Sequence, residues 1–170
     1  MMLGVSILKK EKKDNNELGR KKRKLKEIIK NCESVVNAFS GGVDSTLLVS
    51  CAKEVLGEKA VAVTDISEVH PSWDIEDAKK LAGKIGLRHI LLDTGKLDNP
   101  DFVKNSPKRC YYCKLDLLRK INEIRKDWGF EKILEGTNLS DFEEYRPGIR
   151  AIEEQKRKFN FRHNRPLLEN

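Results

Sequence analysis

Three clusters in this 170-residue chain have the residue types and spacing for chemistry. The first is Ser40-Gly41-Gly42-Val43-Asp44-Ser45-Thr46, directly after the apolar run Val35-Val36-Asn37-Ala38-Phe39. A strand that ends in such a turn and re-enters as a helix aims backbone N–H groups and a helix N-terminus at one point, an arrangement that holds phosphate. Gly41 and Gly42 let the backbone approach closely and take positive φ. Ser40, Ser45 and Thr46 add hydroxyl donors. Asp44 would repel phosphate unless a cation lay between them, so it reads as a magnesium contact. Neither G-x-x-x-x-G-K-[ST] nor G-x-G-x-x-G is present, which excludes a Walker loop and a dinucleotide fingerprint.

The second cluster is Lys108-Arg109-Cys110-Tyr111-Tyr112-Cys113-Lys114, the only close cysteine pair. At C-x-x-C spacing on a helix start, two sulfurs can share a metal or form a disulfide. They supply half of a tetrahedral zinc site, or most of a site-differentiated iron–sulfur cluster if one more cysteine joins them. Cys32 and Cys51 are poor further ligands. One precedes the first strand, and the other lies on the core face of its helix, where cysteine behaves as a small hydrophobe. The third cluster runs from Glu135 to Gly148. Gly136 permits a sharp exit from a strand, and Thr137 and Asn138 can bind nucleotide oxygens. Asp141, Glu143 and Glu144 are candidate Mg²⁺ ligands, and Arg146 can meet a phosphate or carboxylate.

The elements that position these clusters follow from periodicity. Apolar runs predict strands at Cys32–Phe39, Lys59–Thr64, Arg88–Leu92 and Phe130–Leu134, with a short fifth near Arg165-Pro166-Leu167-Leu168. Ala60-Val61-Ala62-Val63 is apolar throughout, as in a parallel strand buried on both faces. Helical patterns alternate with them over Gly19–Asn31, Asp44–Leu56, Pro71–Ile85, Arg109 to about Trp128 and Pro147 to about Lys156, with a short helix near Phe102. This alternation defines an α/β fold with a parallel sheet. Ligands of such sheets bind beyond the carboxyl ends of the strands. The loops at 40–46, 65–70, 93–109 and 136–146 all leave those ends, so they should share one crevice. Asp65, at the mouth of the second loop, is thereby a nucleotide-contact candidate.

Charge is distributed unevenly. Residues 1–30 hold 11 Lys/Arg against 4 Asp/Glu, whereas residues 31–170 hold 23 of each. The net charge of +7 therefore belongs to the N-terminal segment. A basic arm can contact nucleic acid, but no aromatics are interleaved with these lysines and arginines, which favours a solvated face over an RNA surface. Residues 1–18 are expected to be a poorly ordered arm. No run approaches the roughly 18–20 apolar residues of a membrane span, and the apolar start precedes its lysines, the reverse of a secretory signal. A cytoplasmic protein with reduced thiols is expected.

At S-G-G-V-D-S-T the sequence resembles the PP-loop ATP pyrophosphatases, whose signature is S-G-G-x-D-S/T. With R-C-Y-Y-C-K and E-G-T-N-x-x-D-x-x-x-Y-R-P-G added, it resembles the ATP-dependent sacrificial sulfur transferase family over about Leu25 to Leu168. The resemblance implies a doubly wound parallel five-stranded sheet in the order 3-2-1-4-5, as in the HUP (adenine nucleotide alpha hydrolase-like) folds. It implies ATP and Mg²⁺, and adenylation of a small-molecule carboxylate on a pyridinium mononucleotide. Sulfur then displaces AMP. Asp44, Arg109, Asp141 and Arg146 are the residues implied for catalysis. Ser40, Gly41, Gly42, Asp44, Ser45, Thr46, Asp65, Gly136, Thr137 and Asn138 are implied for nucleotide binding. In one branch of that family three cysteines hold a [4Fe-4S] cluster, and Cys110 and Cys113 match two of them. The family continues into a C-terminal region with a further cysteine in a C-L-A-S-R-like segment. No such segment occurs up to Asn170. Residues 19–170 are thus expected to be a PP-loop domain without that region: a fragment, one part of a protein whose rest a separate chain supplies, or a domain whose activity has been lost. A third cluster ligand would come from outside this chain, and a partner chain or self-association would cover the edge that the missing region leaves. Two other readings use the same residues: a tRNA-thiolating PP-loop enzyme, and a non-catalytic ATP- or AMP-binding module that works with a partner.

Overall fold

The computed structural model describes residues 3–143, 147–158 and 163–164. Four strands, β1 (Val35–Ala38), β2 (Ala60–Asp65), β3 (Arg88–Leu92) and β4 (Lys132–Leu134), pair in parallel, and a two-residue β5 (His163–Asn164) adds to β4. Their order is β3-β2-β1-β4-β5, the order expected. The helices are α1 (Leu3–Lys30), α2 (Val43–Leu56), α3 (Ser72–Ile85), the single-turn α4 (Pro100–Val103), α5 (Arg109–Asp127) and α6 (Pro147–Lys158).

Strand periodicity divides the core into two layers. Side chains of a strand alternate between sheet faces. Val35, Ala60, Ala62 and Leu134 turn to one face and pack against Leu25 and Ile29 of α1, Leu48, Val49 and Ala52 of α2, and Ala78 and Ala82 of α3. Val36, Val61, Val63 and Ile133 turn to the other, against Leu118 and Ile121 of α5 and Ile152 of α6. β1 and β2 are buried along their whole length, which is why both read as mainly apolar runs. The one polar residue of β1, Asn37, is fully buried, and its amide donates to the Val61 carbonyl (2.9 Å). β3 is an edge strand with Arg88 and Leu91 exposed.

The ends of the chain add detail to the sequence reading. The basic arm expected to be poorly ordered over residues 1–18 is, from Leu3 onward, part of α1. Residues 3–18 contain no proline and are rich in Lys, Glu and Leu, which favour helix. Gly19 costs a helix interior about 1 kcal/mol relative to alanine, too little to end it. The fifth strand pairs at His163–Asn164 with Ile133–Leu134, while residues 165–168, where it was expected, lie outside the described residues.

Candidate functional site

The turn from β1 into α2 is held by its own side chains. Ser45 Oγ donates to the Gly42 carbonyl (3.0 Å) and lies 3.1 Å from Ser40 Oγ, which accepts from the Gly42 N–H (3.3 Å). Thr46 Oγ1 donates to the Gly41 carbonyl (3.3 Å). The buried Ser45 hydroxyl and that of Thr46 therefore fix the loop's shape, which leaves the first-turn amides of α2, with no intrahelical acceptor by position, as the groups available to an anion. Gly41 adopts φ +79°, and a Cβ there would lie 3.3 Å from both Cα and Cβ of Ala78. The loop thus rests directly on α3, as only glycine allows.

The loop leaving β4 closes on this turn. A Cβ on Gly136 would lie 3.0 Å from the Ser45 nitrogen and 3.2 Å from its Cα, so the two backbones are in contact. Asn138 caps the short 3₁₀ turn Leu139–Phe142 in a reciprocal box with Asp141: its N–H donates to Asp141 Oδ2 (2.9 Å), and its side-chain oxygen accepts from the Asp141 N–H (3.2 Å). The Asn138 amide then donates to Asp44 Oδ2 (3.0 Å). One asparagine links the two carboxylates.

These groups meet at one cavity of about 720 Å³, together with residues from β2, α3, α5 and α6 and Lys96 from the segment after β3. Ser40, Gly42, Asp44, Ser45, Asp65, Gly136, Thr137, Asp141, Cys110 and Cys113 all border it, so the expected convergence of the loops holds. Gly41, Thr46 and Asn138 stand behind the lining as supports. Arg109 is exposed and turned elsewhere: its guanidinium lies 4.8 Å from the centre of the Phe102 ring, and its Nη1 donates to Asn105. Glu143 is exposed, and Glu144 and Arg146 lie outside the described residues.

Two lining residues, Lys96 and His70, were not singled out by sequence. Lys96, 1% exposed, bonds Asp65 Oδ2 (2.7 Å) and His70 Nε2 (2.6 Å). Asp65 also accepts from the Thr94 hydroxyl (2.9 Å) and the Ser67 N–H (2.9 Å). Burial alone would raise the Asp65 carboxyl's pKa, but Lys96, Ser67 and Thr94 outweigh it and hold the pKa below the usual carboxylate value. Across the cavity, Lys114 Nζ meets Glu135 Oε2 (3.2 Å), and Glu135 is 2% exposed. Lys96 escaped notice because a lone lysine in a polar stretch reads as solvated.

The donor set suits a hard dication shared with phosphate, since Asp44 and Asp141 offer two carboxylates on one cavity and Mg²⁺ is usually held by one or two carboxylates plus substrate phosphates. It does not by itself suit a cluster or zinc. Cys110 is exposed and Cys113 half-buried, both as free thiols. Among the described residues no group of three or more His, Cys, Asp and Glu is arranged to hold a metal. No helix among them is long and apolar enough to cross a membrane.

A parallel sheet in this order, with a glycine loop leading from β1 into α2, defines an α/β domain of the HUP type. A family model described as NAD synthase matches residues 8–104, and the chain belongs to that family, within the PP-loop ATP pyrophosphatases. It is 33% identical over 138 residues to the pyridinium-3,5-bisthiocarboxylic acid mononucleotide synthase of Lactiplantibacillus plantarum, covering 81% of this chain and 50% of that protein. It is 34% identical over 119 residues to the tRNA-specific 2-thiouridylase of Treponema denticola, covering 60% of this chain and 32% of that one. Its fold matches the NH3-dependent NAD synthetase of Campylobacter jejuni with a TM-score of 0.62 at 18% identity, over 73% of this chain and 58% of that one. The chain spans about half the length of the first curated relatives it matches.

Proposed function

We propose that this domain cleaves ATP to AMP and pyrophosphate in order to adenylate a carboxylate, which a sulfur nucleophile then attacks. The observation that carries the proposal is a single cavity bordered by the anion-holding loop, the Asn138-linked carboxylates Asp44 and Asp141, and the thiols of Cys110 and Cys113. In the first step a substrate carboxylate oxygen bonds to the α-phosphorus and the bond from that phosphorus to the β-bridging oxygen breaks, releasing pyrophosphate. The α2 amides and the loop receive the leaving phosphates. Magnesium, held by Asp44 and Asp141, would neutralise the charge that builds on the leaving group. In the second step sulfur attacks the acyl carbon and AMP departs. The pyridinium mononucleotide is the substrate class we infer, by likeness to the Lactiplantibacillus relative. A second reading, tRNA thiolation, has the basic α1 in its favour and predicts RNA-stimulated turnover.

The test is pyrophosphate release with pyridinium mononucleotide carboxylates and, separately, with tRNA. Asp44→Ala should lower release at least a hundredfold, since losing one preorganised electrostatic partner costs about 10²–10³ in rate. Release that persists undiminished in Asp44→Ala refutes the site assignment. Release stimulated by tRNA alone selects the second reading.

A further inference from the structure

The sheet order splits the cavity into two arms around β1. On the β4 side lie Cys110, Cys113, Lys114 and Glu135, the nucleophile-bearing end. On the β2–β3 side lie Thr64, Asp65, His70, Asp74, Ile75 and Lys96, which the two proposed steps leave unused. With the leaving phosphates on the central loop and the carboxylate substrate on the thiol side, the β2–β3 arm is the part of the cavity left for the nucleoside. Resting on the ATP reading above, we infer that His70 binds the nucleoside end as a tautomer-fixed hydrogen-bond donor, set by buried Lys96.

The chemistry is local and complete. Lys96 Nζ is a donor without acceptor capacity, so at 2.6 Å His70 Nε2 accepts and the ring proton is on Nδ1. Asp65 Oδ2, 2.7 Å from Lys96 and 3.6 Å from His70 Nε2, anchors the lysine and supplies its counter-charge. A buried ammonium is tolerated only when paired in this way. His70 is partly exposed and borders the cavity, so with Nε2 taken, Nδ1–H is the group left to meet a ligand. Adenosine offers ring nitrogens and ribose oxygens as acceptors. Lys96 is thus a positioning residue, acting through His70.

Binding of ATP and of inorganic tripolyphosphate, measured by calorimetry on the intact chain, separates the nucleoside contact from the phosphate contact. His70→Ala should weaken ATP about three- to tenfold, the size of one hydrogen bond, and leave tripolyphosphate unchanged. His70→Asn, whose amide nitrogen can occupy the Nδ1 position, should restore ATP binding. His70→Gln, which reaches only the Nε2 position, should not. Side-chain ¹⁵N spectra should show a pyridine-type Nε2 and a protonated Nδ1. Equal losses for ATP and tripolyphosphate, an unchanged ATP affinity in His70→Ala, or the opposite tautomer would each overturn the inference while the ATP reading stands. A wild-type chain that binds neither ligand overturns both.

Discussion

Lys96 becomes almost fully buried only because Asp65, Thr94 and His70 are arranged to receive it. Nothing in Thr94-Gly95-Lys96-Leu97 announces this, since a lysine in a polar loop is normally solvated. The pairing depends on β3 lying beside β2, which brings the two strand exits together. Asp65, in contrast, was legible, because an acid at the mouth of a loop after an apolar strand is already a site candidate. The pair makes acid stability depend on Asp65. Its folded pKa is lowered, so its contribution is present above the unfolded carboxyl value and is lost as pH falls through the folded one. Asp65→Asn leaves the Lys96 charge buried without its counter-ion and should destabilise by about 3–5 kcal/mol at neutral pH. Denaturant titrations from pH 7 down to pH 3 should also show a flatter acid-side decline in the variant. A variant as stable as wild type at pH 7 would mean that Lys96 finds another partner.

At the scale of elements, helix and strand alternation was readable because β1 and β2 are apolar on both faces and α2, α3 and α5 carry clear stripes. What the pattern left out was contact between elements. Gly136 looked like a residue that lets a strand turn sharply. In the fold its main constraint is the backbone of Ser45, close enough that a methyl group has no room. The same contact lets Asn138 reach Asp44, so the β4 exit and the α2 start act as one unit. Gly136→Ala should force them apart, costing about 1–3 kcal/mol by overpacking. Pyrophosphate release should fall about a hundredfold if Asp44 moves by an ångström. Gly57→Ala is a useful contrast: unlike Gly136, Gly57 has positive φ and open space around it, so its cost is backbone strain far from the cavity. Thermal melting with single-turnover assays distinguishes the two. Equal losses of activity in both variants would refute the proposed coupling.

For the whole molecule, the decisive property is the separation of charge from site. The excess of Lys and Arg lies within residues 1–30, and the remaining chain is balanced. α1 buries Leu25 and Ile29 against α2 while Arg20, Lys21, Lys22, Arg23 and Lys24 stay exposed. Few of these charges are neutralised locally: Lys21 lies 3.5 Å from Glu17, and the neighbouring Lys26 pairs with Glu54. None of the five borders the cavity. Affinity for a polyanion should therefore reside in α1 and be separable from ATP chemistry. Each phosphate contact adds about 0.7 (single strand) to 0.9 (duplex) to the slope of log affinity against log salt. Replacing Arg20, Lys22, Arg23 and Lys24 with glutamine should lower the slope for RNA by up to about 3 while leaving pyrophosphate release with a small carboxylate unchanged. Filter binding at several salt concentrations, alongside the release assay, measures both. If the replacements slow release with the small carboxylate, α1 is coupled to the site through its packing on α2. If the slope is unchanged, the polyanion surface lies on the charge-balanced remainder of the chain.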